Sequence, residues 1–92
     1  MKLSHSLNNK QAFAPYKSAI TRYIRSAMVL KGKKYDDLVI ELEARGIFLT
    51  TDNLRSKVSK GMFSADLLVA IIDVLEVQEN AMSDILKQVK ND

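Results

Sequence analysis

From Thr51 to Lys60 the chain is polar except at Leu54 and Val58, two apolar residues one helical turn apart. On a 3.6-residue wheel the opposite side carries Asp52, Ser56, Ser59 and Lys60, flanked by Asn53 and Arg55. Short hydroxyls beside arginine, lysine and asparagine can approach base edges and phosphates closely, because no bulky side chain holds the backbone away. This chemistry makes Thr51, Asp52, Asn53, Arg55, Ser56 and Ser59 candidates for base contacts, with Lys57 and Lys60 reaching phosphates. An exposed amphipathic helix of a small bundle has the same pattern, and the residues alone leave both readings open.

Other chemistry is poorly supplied. The absence of Cys removes thiol catalysis, disulfide frameworks and Cys-type zinc sites, and a lone histidine, His5, rules out a multi-histidine metal site. General acid–base work needs a carboxylate pair or a histidine held in a pocket. Asp36 and Asp37 are neighbours that point in different directions on a helix and suit its positive N-terminal end. Three scattered glycines make no phosphate-binding loop. Neither an enzyme, a cofactor nor a metal is therefore expected.

Charge is distributed unevenly. Residues 1–34 hold Lys2, Lys10, Lys17, Arg22, Arg25, Lys31, Lys33 and Lys34 and no acid. Residues 35–61 sum to −1 and residues 62–92 to −4, so the formal +3 conceals a basic end of +8. A solvated face and a polyanion-binding surface both fit such a block.

The elements that must position these groups follow from length and periodicity. Ninety-two residues, 47% apolar and 27% charged, make one globular domain. Few breakers predict an all-α, compact bundle of about five helices containing a helix-turn-helix. Residues 1–14 read as a flexible basic arm and residues 15–92 as the domain. Pro15 suits the first turn of a helix whose stripe is Tyr16, Ile20, Tyr23, Ile24, Ala27 and Leu30. A second helix starts near Tyr35 with Leu38, Val39 and Leu42 inward, and Ile47, Phe48 and Leu49 are expected to plug into the core. Thr50 or Thr51 caps the third helix, Ser64 and Asp66 open a central fourth, and a C-terminal helix covers 79–90. Gly32, Gly46 and Gly61 each stand where a helix ends.

The run Tyr35 to Leu42, then Thr51 to Gly61, then an apolar helix ending at Val77, resembles the lambda-repressor/Cro type of helix-turn-helix domain over roughly residues 16–77. More narrowly, Asn53-Leu54-Arg55 with Lys57-Val58-Ser59-Lys60-Gly61 and Phe63-Ser64-Ala65 is similar to a group of small bacterial proteins known mainly as a domain of unknown function. Two features depart from the repressor pattern. Val39 stands where that family has a small residue, and the link from Ala44 to Thr50 is about three residues longer than the usual turn. The resemblance implies a five-helix DNA-binding domain whose helix 51–60 enters the major groove, with Lys17, Arg22, Arg25, Lys31, Lys33 and Lys34 near the phosphate backbone.

The resulting expectation is a sequence-specific, dimeric repressor of transcription that binds double-stranded DNA. Met82, Ile85, Leu86 and Val89 are the dimer-interface candidates, shared with the core of the fifth helix. The alternative is a protein-interaction module, antitoxin-like or phage-encoded, on the same scaffold. RNA binding fits less well, because Phe13, Tyr16, Tyr23, Tyr35, Phe48 and Phe63 read as core and not as a stacking platform. The longest apolar run, Leu67 to Ile72, is too short to span a bilayer, and the opening residues lack a secretory signal's apolar stretch. A soluble cytoplasmic protein without a membrane partner is expected.

Overall fold

The computed structural model describes the backbone of residues 2–90 and the side chains of residues 8–90. Five helices follow in order: α1 (Lys2–Lys31), α2 (Tyr35–Ala44), α3 (Thr51–Lys60), α4 (Ala65–Leu75) and α5 (Ala81–Lys90). The chain is an all-α bundle, with no strand among the described residues. The side chain of Lys2, within the stretch expected to be a basic arm, lies outside the described ones.

α1 begins well before its expected start. The stretch read as an arm supplies its N-terminal half, and Pro15 sits inside the helix instead of in its first turn. Residues 2–14 contain no glycine or proline, and their leucines, lysines, alanines and glutamine offset the weaker helix formers serine and asparagine. Pro15 lacks the amide that would bond the Gln11 carbonyl. Gln11 is exposed, so water can take that carbonyl's hydrogen bond. At 1.5 Å per residue α1 is roughly 45 Å long.

α3, α4 and α5 pack on the C-terminal half of α1, with α5 covering it most extensively and α3 crossing it. α2 bridges α3 and α4. Ile24, Leu38, Leu42, Leu54, Val58, Ile71, Val74 and Leu75 are fully buried and join all the helices except α5. Ala81 and Ile85 bring α5 into the same core.

Three aromatics read as core lie outside it. Tyr23 is buried and Tyr35 and Phe63 pack partly against the core, whereas Phe13, Tyr16 and Phe48 are exposed. Phe13 and Tyr16 precede the part of α1 that the bundle covers. In the link before α3, Ile47 and Leu49 turn inward and Phe48, between them, turns out. Leu30, the last residue of the expected α1 stripe, is also exposed.

Candidate functional site

α3 is held by its ends and its underside, which leaves its outer surface open. The Thr50 hydroxyl accepts the Asn53 amide at 3.1 Å and caps the helix. Leu54 and Val58 are fully buried beneath it, and the Thr21 hydroxyl of α1 donates to the Val58 carbonyl. Gly61 closes the helix in the left-handed region at φ +62°, and a Cβ there would lie 2.1 Å from the Lys17 carbonyl oxygen. That close passage fixes where Lys17 sits relative to α3.

The exposed residues divide by helical phase into a crest and two flanks. Along one flank an open groove of about 880 Å³ is lined by Asn53, Ser56, Lys57 and Lys60 of α3, by Lys17 of α1, and by Met62, Phe63 and Ser64 beyond Gly61. Along the other, a second groove of about 570 Å³ gathers Arg25, Lys34, Tyr35, Asp36 and Arg55. Arg25 donates to the Ser59 hydroxyl at 3.2 Å, tying α1 to this flank. Cations from α1 and α3 therefore stand on both sides of the helix.

At the N-terminal part of α3, local bonds organise the candidates. The Thr51 hydroxyl donates to Asp36 at 2.6 Å. Arg55 donates to Asp52 at 3.0 Å, and its guanidinium lies 5.2 Å from the centre of the Tyr35 ring. The Asp52 side chain is 94% exposed, so this ion pair is worth no more than about 1 kcal/mol and can be exchanged for a ligand group. At the foot of the first groove, the Ser64 hydroxyl and then the Leu67 amide hold the Asp66 carboxyl below its ordinary range.

The structure gathers most but not all of the predicted site residues. Thr51, Asp52, Asn53, Arg55, Ser56, Ser59, Lys57 and Lys60 lie on or beside the exposed face of α3, and Lys17, Arg25 and Lys34 flank it. Three cations expected at phosphates are placed otherwise. Arg22 donates to the Gln88 carbonyl of α5 at 2.8 Å, serving the α1–α5 packing. Lys33 borders the second groove, but its ammonium is bound by Glu41 at 2.8 Å and by the Val74 carbonyl at 3.1 Å, which ties the α1–α2 corner to α2 and α4. Lys31 lines a groove with Glu76, Glu79 and Asp84, far along α1 from Lys17. Among the dimer candidates, Ile85 is buried within its own chain and Val89 is half-buried, so neither is a free surface. Tyr35 and Asp36 were missed as partners of α3. Their signal was their position in the first turn of α2, directly before a helix that must pack on it.

No group of three or more histidine, aspartate or glutamate side chains among the described residues could hold a metal ion. No helix there is long and apolar enough to cross a membrane.

Against known families, residues 16–80 match the model of a domain of unknown function, DUF6471, and the chain belongs to that family. No curated protein and no solved structure matches it. The matched span begins at Tyr16, so it contains α2, α3, α4 and the packed half of α1 and omits the exposed half.

Proposed function

We propose that the protein is a double-stranded DNA-binding regulator of transcription, a repressor by operator occupancy, and that α3 reads the major groove. The observation that carries this reading is the placement of Lys17, Lys57 and Lys60 on one flank of α3 and Arg25, Lys34 and Arg55 on the other. Lys17 and Arg25 are eight residues apart on α1, a rise of about 12 Å, which is comparable to the width of the major groove. A helix seated in that groove has a phosphate strand along each side, and cations placed this way meet both. The crest between them offers Asp52 and Ser56, with Asn53 and Arg55 beside it, as donors and acceptors for base edges. The order α2, link, α3 is that of a helix-turn-helix.

A protein-interaction module on the same scaffold is the second reading. The Asp52–Arg55 pair, which satisfies part of the crest internally, and the exposed Phe48 beside the start of α3 favour it.

Selection of bound duplex from a random pool, followed by gel-shift titration at several salt concentrations, tests the proposal. Arg55→Ala is expected to weaken binding to the selected site and relax one base position. Lys17→Ala and Lys60→Ala each lower the salt dependence by about one unit of log K per log salt. Lys31→Ala leaves it unchanged. No retained duplex at low salt would reject DNA binding in favour of the protein module. Equal effects of Lys17→Ala and Lys31→Ala would reject the placement of α3 in the groove.

A further inference from the structure

Phe13, Tyr16, Ile20, Tyr23, Ala27 and Leu30 recur along α1 in alternating steps of three and four, the spacing of a helix–helix seam. α5 covers only the middle of it. The two helices run antiparallel, since Leu30 and Lys31 share a groove with residues 76–80 and Arg22 bonds the Gln88 carbonyl. α5 therefore runs out where the seam still continues toward Tyr16 and Phe13, which are 52% and 57% exposed. α5 has an open flank of its own. Beside its buried Ala81 and Ile85, Met82 and Leu86 are 65% and 48% exposed and lie one turn apart.

We infer that these two open surfaces pair between two copies of the chain, with Phe13 and Tyr16 of each copy packing on Met82 and Leu86 of the other. A twofold axis returns the same contact in the opposite direction, so the assembly closes as a dimer and leaves neither surface over. Charge selects this pairing over α1 against α1. The stretch of α1 around Phe13 and Tyr16 carries Lys10 and Lys17 without a single acid, and juxtaposing it with its own copy sets like charges together. The end of the molecule that bears α5 sets Glu76, Glu79 and Asp84 beside Lys87 and Lys90, so acids are present there to meet it. The pairing thus brings the basic stretch of α1 to a surface of mixed charge on the second copy, and not to another all-basic one. It makes no use of nucleic acid and stands apart from the reading of α3.

The test is made on the full chain without DNA. Sedimentation across micromolar concentrations is expected to show a dimer. Phe13→Glu and Leu86→Glu, both at exposed positions, should each raise its dissociation constant by about a hundredfold by burying an unpaired charge, with helical circular dichroism unchanged. Because the chain has no cysteine, contacts can be read directly. Tyr16→Cys chains mixed with Leu86→Cys chains should form a covalent dimer on oxidation, and neither variant alone should do so. A monomeric wild type, charge variants that fold and still dimerise, or cross-links confined to a single variant would overturn the inference. If the charge variants fail to fold, the cysteine pair decides.

Discussion

Tyr23 packs its ring into the core while its hydroxyl, also buried, has no hydrogen-bond partner among the described residues. Burial, and secondarily the nearby Asp84 carboxylate, push its ionisation above the ordinary tyrosine value of 10.0. The sign of the consequence follows from linkage. A folded-state pKa raised above the unfolded one leaves stability intact below pH 10 and withdraws it as pH rises through the folded value. Denaturant melts of wild type should therefore lose stability above about pH 10 in a way that Tyr23→Phe does not. Near neutrality Tyr23→Phe should change stability by less than about 1 kcal/mol, because it removes an unsatisfied group and keeps the ring. An equal alkaline loss in both proteins would show that Tyr23 is not the group responsible. The sequence marks this residue as core through its place in the α1 stripe. It does not reveal that the hydroxyl lacks a partner, since that depends on what α5 brings to it.

Between elements, the crossing of α3 over α1 has almost no slack. Gly61→Ala must move the Lys17 carbonyl and also hold a left-handed residue, with a combined cost of about 2–5 kcal/mol. At Gly32 the backbone is equally left-handed at φ +65°, yet nothing lies within 4 Å of a Cβ. Gly32→Ala should cost only about 1 kcal/mol. Thermal unfolding of the two variants side by side checks the difference, and equal losses would mean that the α1–α3 approach is looser than described. Both glycines read as helix ends in the sequence, because glycine after a periodic run signals the left-handed cap. Close approach is a tertiary fact with no local signature, and only the packing separates the two positions. The same limit applies to α1. Pro15 reads as a helix start on local grounds, while the glycine-free residues before it continue the helix at the loss of one hydrogen bond. The two buried residues of α3 and its Thr50 cap, by contrast, depend on local spacing alone and are legible without the fold.

Across the whole molecule the cations separate by task. Lys17, Arg25 and Lys34 gather around α3, Arg22 and Lys33 bind the helices to one another, and Lys31 faces the acidic end. In sequence they form one acid-free block, and only the rotation of α1 and the turn at Gly32 sort them. Helical phase alone does not separate Arg22 from Arg25, since residues three apart lie on neighbouring positions of one helix face. Nor could it have placed Lys33, whose ion pair with Glu41 needs the corner between α1 and α2.

One unbroken helix carries both Lys17, at the α3 crossing, and Tyr16, at the open seam. If that seam joins two copies and α3 reads DNA, α1 acts as the ruler that spaces the two reading heads. Inserting one helical turn of alanines between Ala14 and Pro15 would separate Phe13 from Tyr16 by about 5 Å more and rotate them little. The half-sites recovered by selection should then keep their sequence while the interval between them changes by a few base pairs or loses definition. An unchanged interval would mean that the distance is set elsewhere. Residues that touch neither DNA nor core would in that way determine which pairs of half-sites the protein accepts.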